Sequence, residues 1–149
     1  MNADQNRIKA EFRYSALTDR VIGVYYDVYN ELGFGFLESV YAKAMTVALE
    51  AAGLQVQTEI PIGVWFRERL VGDFRADLVV EKALLLELKA VRALESAHEA
   101  QTLNYLRATE LEIALLLNFG PKPQVRRLAF DNERKKISVH QRSSAAKGF

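Results

Sequence analysis

The run Leu84-Leu85-Leu86-Glu87-Leu88 constrains the fold of this chain more than any other feature. Four leucines with no polar alternation describe a strand covered on both faces, so its sheet needs packed elements on either side. This strand is expected over 84–91. Two more β-rich runs precede it, at 55–65 and 69–80, where β-branched and aromatic residues lie between charged turns. The second of these is broken by Asp73, Arg75 and Asp77, which leaves the third run as the central strand.

Helical spacing flanks the strands. Leu17, Val21, Val24, Tyr25, Val28 and Leu32 recur at helical intervals, with Thr18 or Asp19 available as a cap. Gly33 and Gly35 interrupt, and Leu37, Val40, Tyr41, Ala44, Met45, Ala48 and Leu49 continue as a second helix toward a C′ glycine at Gly53. A third helix is expected from about Glu95 to Ala108, a strand over 113–119 ending at Gly120-Pro121, and an edge strand over 125–130. The order helix, helix, three strands, helix, strand makes an α/β fold with a mixed sheet, and the step through the third helix is long enough for a parallel right-handed crossover. We expect one domain over 17–130, an N-terminal extension over 1–16, and a partly disordered tail over 131–149 that frays beyond about His140.

Composition narrows the function. A chain of 149 residues suits one core, and at that size roughly 70% of the unfolded surface is buried. Twenty Lys and Arg against nineteen Asp and Glu give a net charge of +1. No global field draws the chain to nucleic acid or an anionic membrane, so any polyanion site must be local. The absence of cysteine excludes a disulfide scaffold, a thiolate zinc site, an iron–sulfur cluster and a cysteine nucleophile. It agrees with a cytoplasmic location. Met1 to Arg13 lack the apolar core of a signal peptide, and no stretch of about 18 apolar residues occurs, so no membrane partner is expected.

Chemistry concentrates around the central strand. Glu87 and Lys89, two apart, leave the same face. A hairpin turning symmetrically about Lys82 sets Asp77 opposite Glu87, with Cβ atoms about 5 Å apart. Two carboxylates at that distance repel, and their common use is to share a divalent cation such as magnesium. The cation can polarise a phosphodiester and acidify bound water while Lys89 orients that water or meets the developing charge. The bland alternative is a set of surface strand residues, with Lys89 or Arg75 in ion pairs worth about 0–1 kcal/mol. A slip of one residue would turn Asp77 to the other face.

These residues belong to a wider pattern. Gly35-Phe36-Leu37-Glu38-Ser39-Val40-Tyr41 resembles the signature of the GxxExxY proteins, and Asp77 followed by Glu87-Leu88-Lys89 is similar to the core motif of the PD-(D/E)XK nuclease superfamily. Asn30-Glu31-Leu32-Gly33, Arg75-Ala76-Asp77, His98-Glu99-Ala100-Gln101 and Asn118-Phe119-Gly120 extend the resemblance from about Leu17 to Phe130. Ala76 stands where the motif's name has proline. The resemblance implies a restriction-endonuclease-like α-β-β-β-α-β core. It implies Glu38, Asp77 and Glu87 as metal-binding acids for Mg2+ or Mn2+, and Lys89 as the catalytic lysine acting with Asp77 and Glu87. Gln101 with Tyr105 resembles the Q-x-x-x-Y motif of RecB-like exonucleases, where these groups lie beside the substrate backbone or support the site.

Other residues have structural readings as well. Glu38 sits in a first helical turn, where the helix dipole favours a carboxylate, and Tyr41 on the same face is a core aromatic or a supporting hydrogen-bond partner. His98, Gln101 and Tyr105 share a helical face that either lines a groove above the carboxylates or forms an ordinary boundary. Arg67, Arg69, Arg75, Arg126 and Arg127 would make a phosphate-binding rim if folding gathers them. The expectation is a metal-dependent nuclease with DNA favoured over RNA. The alternative is a catalytically weak nucleic-acid-binding or protein-interaction module retaining the nuclease fold, as a homodimer or within a larger assembly. Hydrolysis of a smaller phosphorylated compound is a third reading.

Overall fold

The computed structural model describes residues 14–135. Helix α1 spans Ser15–Leu32 and buries Thr18, Val21, Tyr25 and Val28; α2 spans Glu38–Ala51 and buries Tyr41, Met45 and Leu49, one residue per turn. Strands β1 (Val56–Phe66), β2 (Arg69–Val80) and β3 (Leu84–Lys89) follow, then α3 (Ser96–Arg107), β4 (Ile113–Phe119), β5 (Pro123–Ala129) and a 3-10 turn at Asn132–Arg134. The five strands lie in the order β1-β2-β3-β4-β5, which makes β3 central. Strands β3 and β4 are parallel and the other neighbours antiparallel. This is the mixed sheet flanked by helices that the element order predicts.

Both faces of β3 are covered. Leu84, Leu86 and Leu88 pack with Ile113, Leu115 and Leu117 of β4 against Tyr25, Tyr41 and Met45 of α1 and α2. Leu85 and Ala114 pack against Tyr105 and Leu106 of α3 on the opposite face. All four β3 leucines are at most 1% exposed, and each such burial stabilises by about 1.5–3 kcal/mol.

Two hairpins set the register. The β1–β2 turn has Arg67 and Glu68 at φ 48° and 66°, and the β2–β3 turn has Glu81 and Lys82 at 53° and 55°. Consecutive positive φ values mark the turn whose twist matches that of the paired strands. Across the second hairpin Leu78 faces Leu86, Val79 faces Leu85 and Val80 faces Leu84, the register centred on Lys82.

Several boundaries differ from expectation. Helix α1 begins at Ser15, and neither Thr18 nor Asp19 caps it: the Thr18 hydroxyl donates to Ser15 O at 3.0 Å, and Asp19 pairs with Arg127 at 2.6 Å. Strand β3 ends at Lys89 rather than at 91, because the next residues are drawn away by Asn118. Strand β5 starts at Pro123, two residues early. Past Phe130 the chain still packs: the buried Lys135 ammonium donates to Thr109 O at 2.6 Å and to Leu111 O at 2.8 Å. The expected fraying near His140, and most of the expected N-terminal extension, lie outside the described residues.

The outer hairpin has an irregularity absent from the sequence pattern. Strands β1 and β2 pair from Val56↔Val80 to Thr58↔Leu78 and again from Ile60↔Ala76, skipping Glu59 and Asp77. Leu78 and Val80 face α1 and α2, whereas Ala76 packs with Ile62 and Leu85 on the α3 side. Both strands therefore change face at this step. Glu59 absorbs the turn with φ 51°, a left-handed conformation that is uncommon outside glycine.

Candidate active site

The face change falls where β2 parts from β3. Beyond Leu78↔Leu86 the strand ladder stops, and two side chains replace it. The backbone N–H of Asp77 donates to Glu87 Oε1 at 3.1 Å, and the backbone N–H of Leu88 donates to Asp77 Oδ2 at 2.8 Å. Each carboxylate thus satisfies a backbone donor that the parting strands would otherwise strand. The acid pair expected from the symmetric hairpin is brought together, held by these crossed bonds.

Its electrostatics follow from burial. Glu87 is 4% exposed. Desolvation, then the charge of Asp77, and last that of Glu38, push its pKa up to about 8 against the opposing pull of the Asp77 N–H and Lys89. Asp77 is also raised, by burial, with the Leu88 N–H and Lys89 opposing. Desolvation and like charge both favour the neutral acid, so this pair has an unmet demand for positive charge.

Lys89, the last residue of β3, is half-buried, and its Nζ reaches Gln101 Oε1 at 3.5 Å, the outer limit of a hydrogen bond. Tyr105, one turn beyond Gln101 on α3, is buried and its phenol is raised by desolvation and then by the charges of Glu87 and Asp77, with a Gln101 hydrogen bond opposing. Tyr105 thus lies within electrostatic reach of the acid pair, and Gln101 beside Lys89. His98 does something local: its Nδ1 accepts the Glu95 N–H at 2.9 Å, capping α3.

Glu38 is exposed at the first position of α2 and shares a groove of about 650 Å3 with Asp77, Thr58, Glu59 and Lys43. Its presentation depends on the segment before it. Gly35 adopts φ 114°, which a side chain would strain. The Tyr41 hydroxyl donates to Gly33 O at 2.6 Å and accepts the Phe36 N–H at 3.2 Å. Tyr41 thus folds the segment back on itself. Among the described residues, no three His, Cys, Asp or Glu side chains gather closely enough to form a ready metal cluster, so the expected triad of Glu38, Asp77 and Glu87 is not drawn together as a unit. The donor set still fits a divalent cation: hard carboxylate oxygens, one on each acid engaged by a backbone N–H, on groups raised chiefly by desolvation.

The sequence assigns no role to two further contributors. Asn118 pairs with Lys89 across β3–β4, accepts the Val91 N–H on Oδ1 at 3.0 Å and donates from Nδ2 to Val91 O at 2.9 Å. Gln124 Oε1 accepts the Leu94 N–H at 2.9 Å, and the Tyr25 hydroxyl donates to Asn118 O. This network pins the loop that carries the chain from Lys89 to α3. The sequence signals of Asn118 were the Asn118-Phe119-Gly120 match and its place as a polar residue closing the apolar run Ile113–Leu117. Glu59 is the other, and nothing in its neighbours announces its backbone conformation. The arginines do not form one rim: Arg67 lies over Phe66 on the outer hairpin, while Arg126 and Arg127 occupy the opposite edge strand, Arg127 bound to Asp19.

A family model described as the PD-(D/E)XK nuclease superfamily matches residues 15–128. A solved structure titled "Crystal structure of SSO0001" is 12% identical to this chain and superposes with a TM-score of 0.47, covering 95% of this chain and 68% of the other. No curated protein sequence matches. No helix among the described residues is long and apolar enough to cross a membrane.

Proposed function

Because the chain belongs to the PD-(D/E)XK nuclease superfamily, we propose that it is a divalent-metal-dependent nuclease that hydrolyses nucleic-acid phosphodiester bonds, DNA in preference to RNA. Members of this superfamily typically use divalent metals. The observation that carries the reading is the crossed pair of Asp77 and Glu87, with Lys89 following on the same strand. The GxxExxY segment and the Gln101–Tyr105 pair are read as refinements of the same site.

Asp77 and Glu87 would hold Mg2+ or Mn2+, with Glu38 across the groove approaching through solvent or substrate. When bound, the ion supplies charge neutralisation at the phosphate and a more acidic water. Lys89 brings its ammonium to the oxygens that gain charge during attack, and it can hold the attacking water by a hydrogen bond. Gln101 restrains Lys89, and Tyr105 closes the α3 side of the acid pair against water. The raised Glu87 pKa, caused by burial and then by the charge of Asp77, is consistent with a site that gains from a cation, which would favour the ionised pair.

A catalytically weak binding module is the second reading, favoured by the absence of a gathered three-carboxylate cluster among the described residues. Labelled single- and double-stranded DNA and RNA, incubated with magnesium, manganese or chelator, separate the two. Metal-dependent cutting that is lost in Glu87→Ala and Lys89→Ala is the expected result. Salt-sensitive binding without cutting, in folded protein, would replace the nuclease reading with the second one.

A further inference from the structure

A second groove, of about 620 Å3, opens on the α3 side between the outer hairpin and the helix. Its walls include Val64 and Phe74 from the hairpin and Gln101, Asn104, Tyr105 and Arg107 from α3. We propose that this groove takes an unpaired nucleobase of the strand being cut, so that the substrate is single-stranded nucleic acid. The proposal rests on the nuclease reading above and names its substrate class.

Three features support it. The groove is continuous with the candidate site, because Gln101 contacts Lys89 and also lines the groove, and Tyr105, another lining residue, feels the charges of Glu87 and Asp77. A phosphate at Asp77 and Glu87 would leave its neighbouring base within reach. Next, the groove offers a flat aromatic surface: Phe74 is 42% exposed, with its ring 5.8 Å from that of Tyr105 at 41°. Gly72 seats that ring, since a Cβ there would come within 2.6 Å of Phe74 Cε2. An exposed ring held in place by its own strand is a stacking platform, which serves any base because every base has a π face. Finally, the polar groups suit a base edge. Gln101 and Asn104 line the groove with amides whose NH2 groups can donate; their oxygens already accept from Lys89 Nζ and from Arg107 Nη1 at 3.3 Å, and the Arg107 guanidinium also lies 6.0 Å from the Phe130 ring centroid. In a duplex the same base would be stacked and paired, and extruding it costs energy that a single strand does not spend.

The test measures binding of a single-stranded oligodeoxynucleotide, intact or carrying one abasic position stepped along its length, to the full chain in chelator. The protein as it stands should bind the intact strand roughly tenfold or more tightly than the strand abasic at the groove position. Phe74→Leu removes the ring while keeping a somewhat smaller apolar side chain, and should erase that difference; Asn104→Ala should reduce it while leaving the hairpin unaltered. Equal affinity for intact and abasic strands overturns the proposal, as does a difference that survives Phe74→Leu. A sedimentation shift showing that Phe74→Leu abolishes self-association, with oligonucleotide binding unchanged, overturns it in favour of a second copy on this surface. Cleavage in magnesium separates the two levels: cutting with base-indifferent binding removes the groove and leaves the nuclease, and base-dependent binding without cutting removes the nuclease and leaves the groove.

Discussion

The ring of Tyr41 lies stacked on that of Phe119, 4.1 Å between centroids and 12° between planes, while its hydroxyl grips the glycine segment at Gly33 and Phe36. One residue joins α2, β4 and the connection between the two helices. Its two contributions separate by mutation. Tyr41→Phe keeps the stack and leaves Gly33 O without its donor, a loss of about 1 kcal/mol. Tyr41→Ala also removes the ring and should cost about 3–5 kcal/mol. Urea denaturation of both variants checks the order, and equal losses would place the whole effect in the hydroxyl.

The clamp at Asn118 should be as sensitive. Asn118→Ala frees both backbone groups of Val91 and should destabilise by about 1–3 kcal/mol, with faster amide exchange at residues 91–94 than elsewhere. Gly120 guards the same loop: a Cβ there would sit 2.2 Å from Val91 O and 2.8 Å from Asn118 Nδ2. Gly120→Ala must displace backbone and should lower the thermal midpoint further. A neutral Gly120→Ala would show that the loop gives way easily.

Glu87 gives the metal-free protein a pH dependence of defined sign. Its folded pKa of about 8 lies above the unfolded value of 4.5. Between these values the folded chain binds more protons than the unfolded one, so stability from this group is full below about 4.5 and declines as pH rises toward 8. Glu87→Gln retains an oxygen for the Asp77 N–H and removes the titration. With chelator present, the fall in thermal midpoint from pH about 5 to about 8 should be smaller in Glu87→Gln than in the parent by an amount worth one to a few kcal/mol. Parallel pH profiles would mean that Glu87 ionises without cost in the fold.

Gln101 is a positioning residue for Lys89, so its loss should read differently from loss of the lysine. Lys89→Ala should reduce metal-dependent cleavage by roughly a hundredfold or more, on the scale of losing one charge-stabilising donor. Gln101→Ala should lower the rate by less, mainly in kcat, and Gln101→Glu should restore the contact and recover part of it. An unchanged rate in Gln101→Ala would mean that the lysine needs no restraint.

Much of this architecture is legible in particular residues. The apolar run Leu84–Leu88 requires a central strand, and the symmetric turn about Lys82 predicts Asp77 beside Glu87, a proximity held by the crossed hydrogen bonds just past the last paired residues Leu78 and Leu86. What the sequence leaves hidden is conformational. Glu59, Glu81 and Lys82 adopt positive φ with side chains that give no hint of it, where Asn or Gly would have. The face change at Glu59 and Asp77 is equally silent, because Val56, Ile60, Ile62 and Val64 keep the same parity throughout although they pack on opposite sides of the sheet. Tertiary packing decides that step. Phe74 reads as an ordinary strand aromatic until the hairpin is seen to project past β3.

The kink at Glu59 also shapes how this sheet meets other sheets. Among the described residues strand β1 is one edge of the sheet, and it carries the left-handed Glu59 followed two residues later by Pro61. Proline withholds a donor and the kink bends the row of remaining ones, the two devices that keep exposed edges from templating a neighbour. The other edge, β5, opens with Pro123 and bears Arg126 and Arg127. Growth of the sheet across either border is therefore discouraged, and two copies that associate would do so through helices or through the tip of the projecting hairpin.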